Sequence, residues 1–165
     1  MARLRETHSD RIDRIMGRYP DRRSAIIPLL WEAQRTDGYV TEDSIFEVAE
    51  LCEVTPTEVM EVITFYTMFN QRPVGKFLLS VCETLSCAIC GGVGLVHYLE
   101  EKLGIKRGET TSDGLFTIQT VECIGACTEA PAMMINETLY GNLTRSKVDQ
   151  LLNECRKNAG AAAKI

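Results

Sequence analysis

The sequence predicts an α+β protein, with a helical bundle over residues 1–73 and an α/β domain with a small mixed sheet over residues 74–165. Two observations support this division. Apolar side chains recur at helical spacing from residue 8 to about residue 70. Beyond the stretch QRPVG at 71–75, whose proline and glycine indicate a boundary, short strand-like and helix-like segments alternate.

Four short helices are predicted in the first half, three of them with a recognisable start. Asp21, Thr41 and Thr55 are the predicted caps. The third cap opens TPTE, a capping box with proline at the first helical position. Pro28 lies inside the second pattern, so that helix is expected to begin late or to bend. Short helices joined by tight connections form a small bundle.

The second half contains segments of both kinds. Strands are predicted at residues 77–81, 115–121 and 132–135, with a short hairpin return at 139–140. Helices are predicted at residues 91–103 and after Thr144. The order β-α-β-β-α is typical of a mixed sheet with helices packed on it, close to a thioredoxin-like core.

Composition excludes several classes of protein. The net charge is −5, and no cluster of lysine and arginine indicates a nucleic-acid surface. The charged start MARLRETHSDR does not resemble a secretory signal, and no apolar run reaches the roughly 18–20 residues that span a bilayer. We therefore expect a cytoplasmic chain with no membrane insertion. Seven cysteines in a reducing compartment favour metal binding or redox chemistry over disulfides.

Four of these cysteines form two pairs, each directly after a predicted strand. Cys82 and Cys87 lie in VCETLSC, and Cys123 and Cys127 lie in ECIGAC. If the two strands are parallel neighbours, both loops leave the same end of the sheet and the four thiolates can converge. Sets of four cysteines hold iron–sulfur clusters.

Spacing alone leaves three chemistries open. An iron–sulfur centre fits best, because structural zinc sites more often use Cys-x2-Cys knuckles. Cys87 and Cys90 form a Cys-x-x-Cys motif before a predicted helix, so thiol–disulfide chemistry is an alternative. Cys82, Cys87 and Cys90 also match the opening of a plant-type ferredoxin pattern, which would leave Cys123 or Cys127 unused. Cys90 is more simply placed in the first turn of the helix, beside the centre.

Several stretches together resemble the E-subunit family of NADH-quinone oxidoreductase, the thioredoxin-like [2Fe–2S] component of respiratory complex I. They are RYPDRRSAIIPLLWEAQRTDGYV, TPTEVMEVITFYTMF, PVGKFLLSVCETLSC, LGIKRGETTSDGLFTIQTVECIGACTEAPAMMIN and LTRSKVDQLL. The resemblance covers nearly the whole chain. The cysteine pattern, TPTEV and ECIGACTEAP are its most specific parts.

The resemblance implies one [2Fe–2S] cluster, with Cys82, Cys87, Cys123 and Cys127 as its ligands and Cys90 outside the set. It implies electron transfer beside a flavin- and NADH-binding subunit, which holds FMN and NADH, with further iron–sulfur subunits in the same complex. The enzyme would be the whole NADH:quinone oxidoreductase, since this chain has no complete active site and no catalytic residues of its own. Such a chain would be cytoplasmic and peripheral to the inner membrane through its complex.

Other settings stay open at this point. The alternative is the equivalent subunit of an NAD-linked hydrogenase or formate dehydrogenase, and a thiol oxidoreductase using Cys87 and Cys90 is a weaker alternative. No G-x-G-x-x-G fingerprint or P-loop indicates nucleotide binding by this chain. The helical half carries no chemistry, so aromatic residues there are expected to dock a partner: Trp31, Tyr66 and Phe69.

Overall fold

The structure, a computed structural model, describes residues 4–159. The chain divides into two compact units, Met1–Pro73 and Val74–Ile165. The first unit is helical, and the second combines a four-stranded mixed sheet with helices. The α+β class predicted from the sequence is therefore confirmed. Within residues 4–159, no helix is both long enough and apolar enough to cross a membrane.

Four helices build the first unit: α1 (Leu4–Met16), α2 (Ile26–Asp37), α3 (Glu42–Cys52) and α4 (Pro56–Phe65). Asp21 caps a short 3-10 turn, Arg22–Ala25, and this turn leads directly into α2. The late start of α2 places Pro28 in its first turn, where proline is tolerated. Thr41 caps α3, and the predicted capping box is present at Thr55, at the start of α4.

Among the described residues, the core of this unit is mostly apolar and contains one charged side chain, Glu32. The carboxylate of Glu32 is buried, and it is compensated by Arg11 at 3.0 Å and Arg35 at 3.2 Å. Phe69 is also buried in this core, and Trp31 is half-buried with its ring centroid 5.7 Å from that of Phe69. Burial makes the expected docking role wrong for Phe69, whereas the docking role of Trp31 stays a prediction. Tyr66 is the one residue of the three that is exposed.

The second unit contains a sheet with strand order β2-β1-β3-β4. Its elements are β1 (Phe77–Cys82), α5 (Leu85–Ile89), α6 (Gly92–Leu103), β2 (Phe116–Val121), β3 (Met133–Ile135), β4 (Thr138–Tyr140) and α7 (Arg145–Ala159). Strands β1 and β2 are parallel, paired in register from Phe77↔Phe116 to Cys82↔Val121, and β3 runs antiparallel to β1. The peptide between Ala130 and Pro131 is cis.

Two details of this unit differ from the sequence expectation. The short helix α5 has no counterpart among the predicted elements. Cys90 ends α5 as its C-cap residue and precedes Gly91, instead of lying in the first turn of α6. Helical spacing predicts Val93 on the apolar face of α6, yet Val93 is exposed and Leu95 is buried in its place. The buried face of α6 consists of Gly92, Leu95, Val96 and Leu99, at positions i, i+3, i+4 and i+7, and Val93 lies outside this set.

A buried amide in the first unit yields a stability prediction. The side chain of Gln34 donates to the carbonyl of Met68 at 3.0 Å and accepts from the N–H of Asn70 at 2.6 Å. Gln34→Ala leaves both backbone groups without these partners, which costs about 1–3 kcal/mol. Urea denaturation should show that loss, with faster hydrogen exchange at the amide of Asn70. The exposed Gln71→Ala is the control, and an equal loss in both variants would contradict the assigned role.

Candidate metal centre

Both cysteine pairs lie at the edge of the sheet where β1 and β2 end. Cys82 is the last residue of β1, and Cys123 follows two residues after β2. The N–H of Glu83 donates to the carbonyl of Val121 at 3.2 Å, so the parallel pairing continues past the last strand residue. Because parallel strands end at the same edge, the two loops start side by side, as the sequence predicted.

Cys82 is buried, and its sulfur is surrounded by hydrogen-bonding groups of both loops. Burial alone raises the pKa of the Cys82 thiol. The backbone N–H groups of Thr84 and Ile124, with the side chains of Cys87 and Thr84, outweigh burial and hold that pKa below its ordinary value. The protonated thiol of Cys82 donates to the carbonyl oxygen of Glu122, with 3.5 Å between the sulfur and the oxygen. This sulfur is therefore prepared to carry negative charge out of contact with water.

Cys87 behaves in the opposite way. Burial raises the pKa of its thiol, the N–H of Ala132 offsets part of that effect, and negative charge at Cys82 and Cys127 raises the pKa further. The interaction between the two buried sulfurs therefore lowers the pKa of Cys82 and raises that of Cys87. The charge effect also shows that Cys127 lies within electrostatic range of Cys87, although the two residues come from different loops.

The other two predicted ligands are exposed. Cys123 and Cys127 face solvent, as does Cys90. The sulfur of Cys123 accepts from the N–H of Gly125 at 3.4 Å, and Gly125 adopts a positive φ of 79°. In residues 4–159, no three cysteine, histidine or carboxylate side chains are already close enough to hold a metal ion together. The structure therefore brings Cys82 and Cys87 together, with Cys127 in range, and leaves Cys123 on the adjoining loop.

The donor set fits a soft metal cluster. Four thiols supply ligands of the type that iron–sulfur clusters require, and N–H groups that point at sulfur stabilise thiolate charge. Gly92 lies directly against the loop that runs from Cys82 to Cys87. A Cβ added at Gly92 would lie 2.8 Å from the carbonyl oxygen of Cys82 and 2.9 Å from that of Cys87. These two carbonyls can approach the start of α6 this closely because Gly92 has no side chain.

One ion pair partly neutralises a carboxylate beside the cysteine loops. The guanidinium of Arg107 lies 3.4 Å from the carboxylate of Glu83, and its backbone N–H donates to Glu100 at 3.0 Å. The hydrogen bond from Arg107 lowers the pKa of the Glu100 carboxyl, and nearby Lys106 and Arg107 charges act in the same direction. The negative charge next to Cys82 is therefore partly balanced by Arg107.

Several groups that act on the site were not found from the sequence. The N–H donors of Ile124 and Ala132 belong to residues whose side chains carry no signal for such a role. Thr84 is different, because a threonine just before a helix usually caps it. Here its side chain does not cap α5 and instead bonds to the sulfur of Cys82.

Comparison with known proteins identifies the family. Residues 12–156 match the family described as thioredoxin-like [2Fe–2S] ferredoxin. The chain belongs to this family. It is 45% identical over 150 residues to one of the E subunits of NADH-quinone oxidoreductase from Rhizobium meliloti, covering 91% of this chain and 89% of that protein. It is 44% identical over 146 residues to NADH-quinone oxidoreductase subunit 2 of Thermus thermophilus, covering 87% and 81%. The resemblance seen in the sequence is confirmed.

Two further comparisons concern only part of a longer protein. The E subunit of NADH-quinone oxidoreductase from Mycobacterium tuberculosis is 41% identical over 148 residues, which are 90% of this chain but 59% of that longer protein. A crystal structure of an NAD+-reducing [NiFe]-hydrogenase superposes with a TM-score of 0.68 at 21% identity, covering 79% of this chain and 23% of that chain. At that identity the likeness concerns the fold. The family's cofactor is a [2Fe–2S] cluster, so the expected cofactor is also confirmed.

The close approach of Gly92 to the Cys82–Cys87 loop leads to a prediction with a matched control. Gly92→Ala forces the Cys82–Cys87 loop away from α6, because the new Cβ would meet backbone atoms that cannot move alone. We expect a loss of about 1–3 kcal/mol in stability and a lower iron content per chain. Gly94→Ala lies in the same helix with nothing within 4 Å of the new Cβ, so it should be neutral or stabilise by about 0.5–1 kcal/mol. Equal iron content and equal melting temperatures would contradict this prediction.

Proposed function

We propose that this chain is the electron-transfer subunit of an NADH-oxidising complex and holds one [2Fe–2S] cluster with Cys82, Cys87, Cys123 and Cys127. The observation that carries the proposal is that two cysteine loops leave the same edge of the sheet, where the buried Cys82 of one loop donates to the carbonyl of Glu122 in the other at 3.5 Å. Membership of a [2Fe–2S] ferredoxin family supports the choice of cluster.

The residues of the site have different tasks in this proposal. Cys82 and Cys87 form the buried side. The backbone N–H groups of Thr84 and Ile124 favour the thiolate of Cys82, and that of Ala132 favours the thiolate of Cys87. Cys123 and Cys127 form the solvent side, on a loop that Gly125 allows to turn. When bound, the cluster supplies one-electron oxidation and reduction. The protein contributes its burial, its hydrogen bonds and the nearby charges of Glu83 and Arg107, which tune such a centre.

The alternative of a thiol oxidoreductase is disfavoured by the same geometry. Such enzymes attack with an accessible cysteine whose pKa is lowered. The first cysteine of the Cys87-x-x-Cys90 motif is buried, with only 2% of its surface exposed, and burial raises its pKa. Cys90 is exposed, but the thiol with which it would form a disulfide lies below the surface. The motif therefore lacks an accessible, activated first cysteine.

A partner chain completes the proposed activity. NADH delivers two electrons as hydride, whereas a [2Fe–2S] cluster carries one, so a flavin has to separate the pair. The sequence contains no dinucleotide fingerprint, and FMN and NADH are therefore assigned to a separate flavin- and NADH-binding subunit. Further iron–sulfur subunits would accept the electrons. The enzyme is then the whole NADH:quinone oxidoreductase, and its complex would place this chain on the cytoplasmic side, peripheral to the inner membrane.

A second setting has one specific observation in its favour. The fold matches part of an NAD+-reducing [NiFe]-hydrogenase, so an equivalent place in an NAD-linked hydrogenase or formate dehydrogenase would use the same site. The two settings differ in the final acceptor and not in the role of this chain. The relatives named as NADH-quinone oxidoreductase subunits are far more similar in sequence, which favours the first setting.

The ligand assignment predicts the outcome of single cysteine replacements. Anaerobically purified protein should contain about two irons per chain, as a [2Fe–2S] cluster requires. Serine at any of the four ligand positions exchanges a soft thiolate for a hard hydroxyl, and should remove the cluster or change its paramagnetic resonance spectrum strongly. The matched control is Cys90→Ser, which should leave iron content and spectrum unchanged. Bleaching by Cys90→Ser with an intact Cys123→Ser protein would favour the plant-type pattern, and stoichiometric zinc would falsify the cluster.

The division of labour between chains predicts a second outcome. The purified chain should neither bind NADH nor reduce a dye with it, because neither a dinucleotide site nor a flavin site is assigned to it. Co-expression with the flavin-bearing subunit should give a stable complex that oxidises NADH. The test is dye reduction by the chain alone and by the co-purified complex. Rapid NADH oxidation by the isolated chain would overturn the subunit assignment.

A further inference from the structure

The acidic charge of the chain is concentrated in one short part of the helical unit. Of the 23 acidic side chains, seven lie between Gly38 and Gln71, a stretch of 34 residues without a single lysine or arginine. The remaining residues contain 16 acidic and 18 basic side chains, a net charge of +2. The net charge of −5 therefore arises entirely from the segment that forms α3 and α4.

An apolar groove lies between these two acidic helices. We name it the α3–α4 groove, and its apolar lining is Val40, Ile45, Phe46, Pro56, Met60 and Ile63. Phe46 is 56% exposed and Met60 is 39% exposed, although both are large apolar side chains. The polar residues that line it, Glu42, Thr57 and Gln71, are all exposed, so no buried polar group points into it to orient a small ligand.

Carboxylates border this groove, and basic side chains do not neutralise them. Glu42 lines the groove directly. Glu50 lies four residues after the groove residue Phe46 on α3, and Glu61 lies four residues after the groove residue Thr57 on α4. Residues four apart are neighbours on a helix surface, so each carboxylate lies beside the groove. Among the described residues, Arg22 pairs with Glu53 and Arg23 with Glu58, whereas these three rim carboxylates have no basic partner.

We propose that the α3–α4 groove binds a basic amphipathic segment of a partner protein, with apolar side chains in the groove and lysine or arginine beside Glu42, Glu50 and Glu61. Apolar grooves of this kind receive one face of an amphipathic helix. The unpaired carboxylates supply electrostatic complementarity for a basic segment, which contributes to partner choice and association rate. The inference rests on the proposed function in one respect, namely that the chain works against a partner.

A second copy of this chain is a poorer occupant. A symmetric contact through the groove would bring the same surface of both copies together, with Glu42, Glu50 and Glu61 facing their own counterparts. Like charges at such a contact oppose association. A basic segment from another chain meets the same apolar surface and removes the repulsion.

The test uses the full-length, cluster-loaded chain and a synthetic amphipathic helical peptide of leucine and lysine. Calorimetric titration should give binding that weakens with added salt, because exposed charge pairs are screened. A peptide of the same pattern with glutamate for lysine should not bind. Glu42→Gln/Glu61→Gln should raise the Kd for the basic peptide by roughly threefold to tenfold. Phe46→Ser should also weaken binding, because it removes apolar contact without disturbing a buried residue.

The matched control is Glu101→Gln/Glu154→Gln, which changes the net charge equally but lies on exposed positions of the other unit. It should leave the Kd unchanged. Equal weakening by both double variants, equal binding of both peptides, or no binding at all would overturn the proposal. The proposal would also be overturned if the chain formed dimers and Phe46→Ser abolished them. Iron content is measured on the same samples, so loss of the cluster assignment and loss of the groove assignment are separate results.

Discussion

The parallel pairing of β1 with β2 is the constraint on which the metal centre depends. Residue pairs Phe77↔Phe116 through Cys82↔Val121 bring the two strands to an end at the same edge of the sheet. An antiparallel pair would place one cysteine loop at each end, and a one-residue slip would turn Cys82 to the opposite face. The added bond from the N–H of Glu83 to the carbonyl of Val121 fixes the loops where they separate.

Burial of thiolate charge beside this edge requires compensation, and the backbone supplies it. A buried anion without donors is unstable, and burial alone would raise the pKa of both Cys82 and Cys87. The N–H groups of Thr84 and Ile124 reverse this for Cys82, whereas the pKa of Cys87 stays above its ordinary value. The other two cysteines are open to water, and the sulfur of Cys123 also accepts from the N–H of Gly125 at 3.4 Å. In the proposed ligand set, two cysteines are therefore buried and two are exposed to solvent.

Sequence patterns predicted most of this arrangement, and the exceptions have a common cause. Capping residues, the Pro and Gly at 71–75 and the spacing of cysteines are properties of side-chain identity, so the helices, the boundary stretch and the candidate ligands could be recognised. The helix α5, the N–H donors and the pairing of Arg107 with Glu83 depend on tertiary position, which no local pattern specifies. The burial of Phe69 is similar, because Gln34 holds the adjacent backbone at Met68 and Asn70 from a distant helix.

Charge is distributed between the two units in a way that suits separate tasks. The sheet unit from Val74 onward has nine basic and ten acidic side chains, so it is close to neutral around a centre whose charge changes when it is reduced. A strong local field there would shift the potential, and Arg107 limits the field of Glu83. The α3–α4 segment instead concentrates acid on a surface without thiols other than the buried Cys52. Electrostatic selection of a partner can then act on the helical unit while the charge balance at the metal centre is set independently.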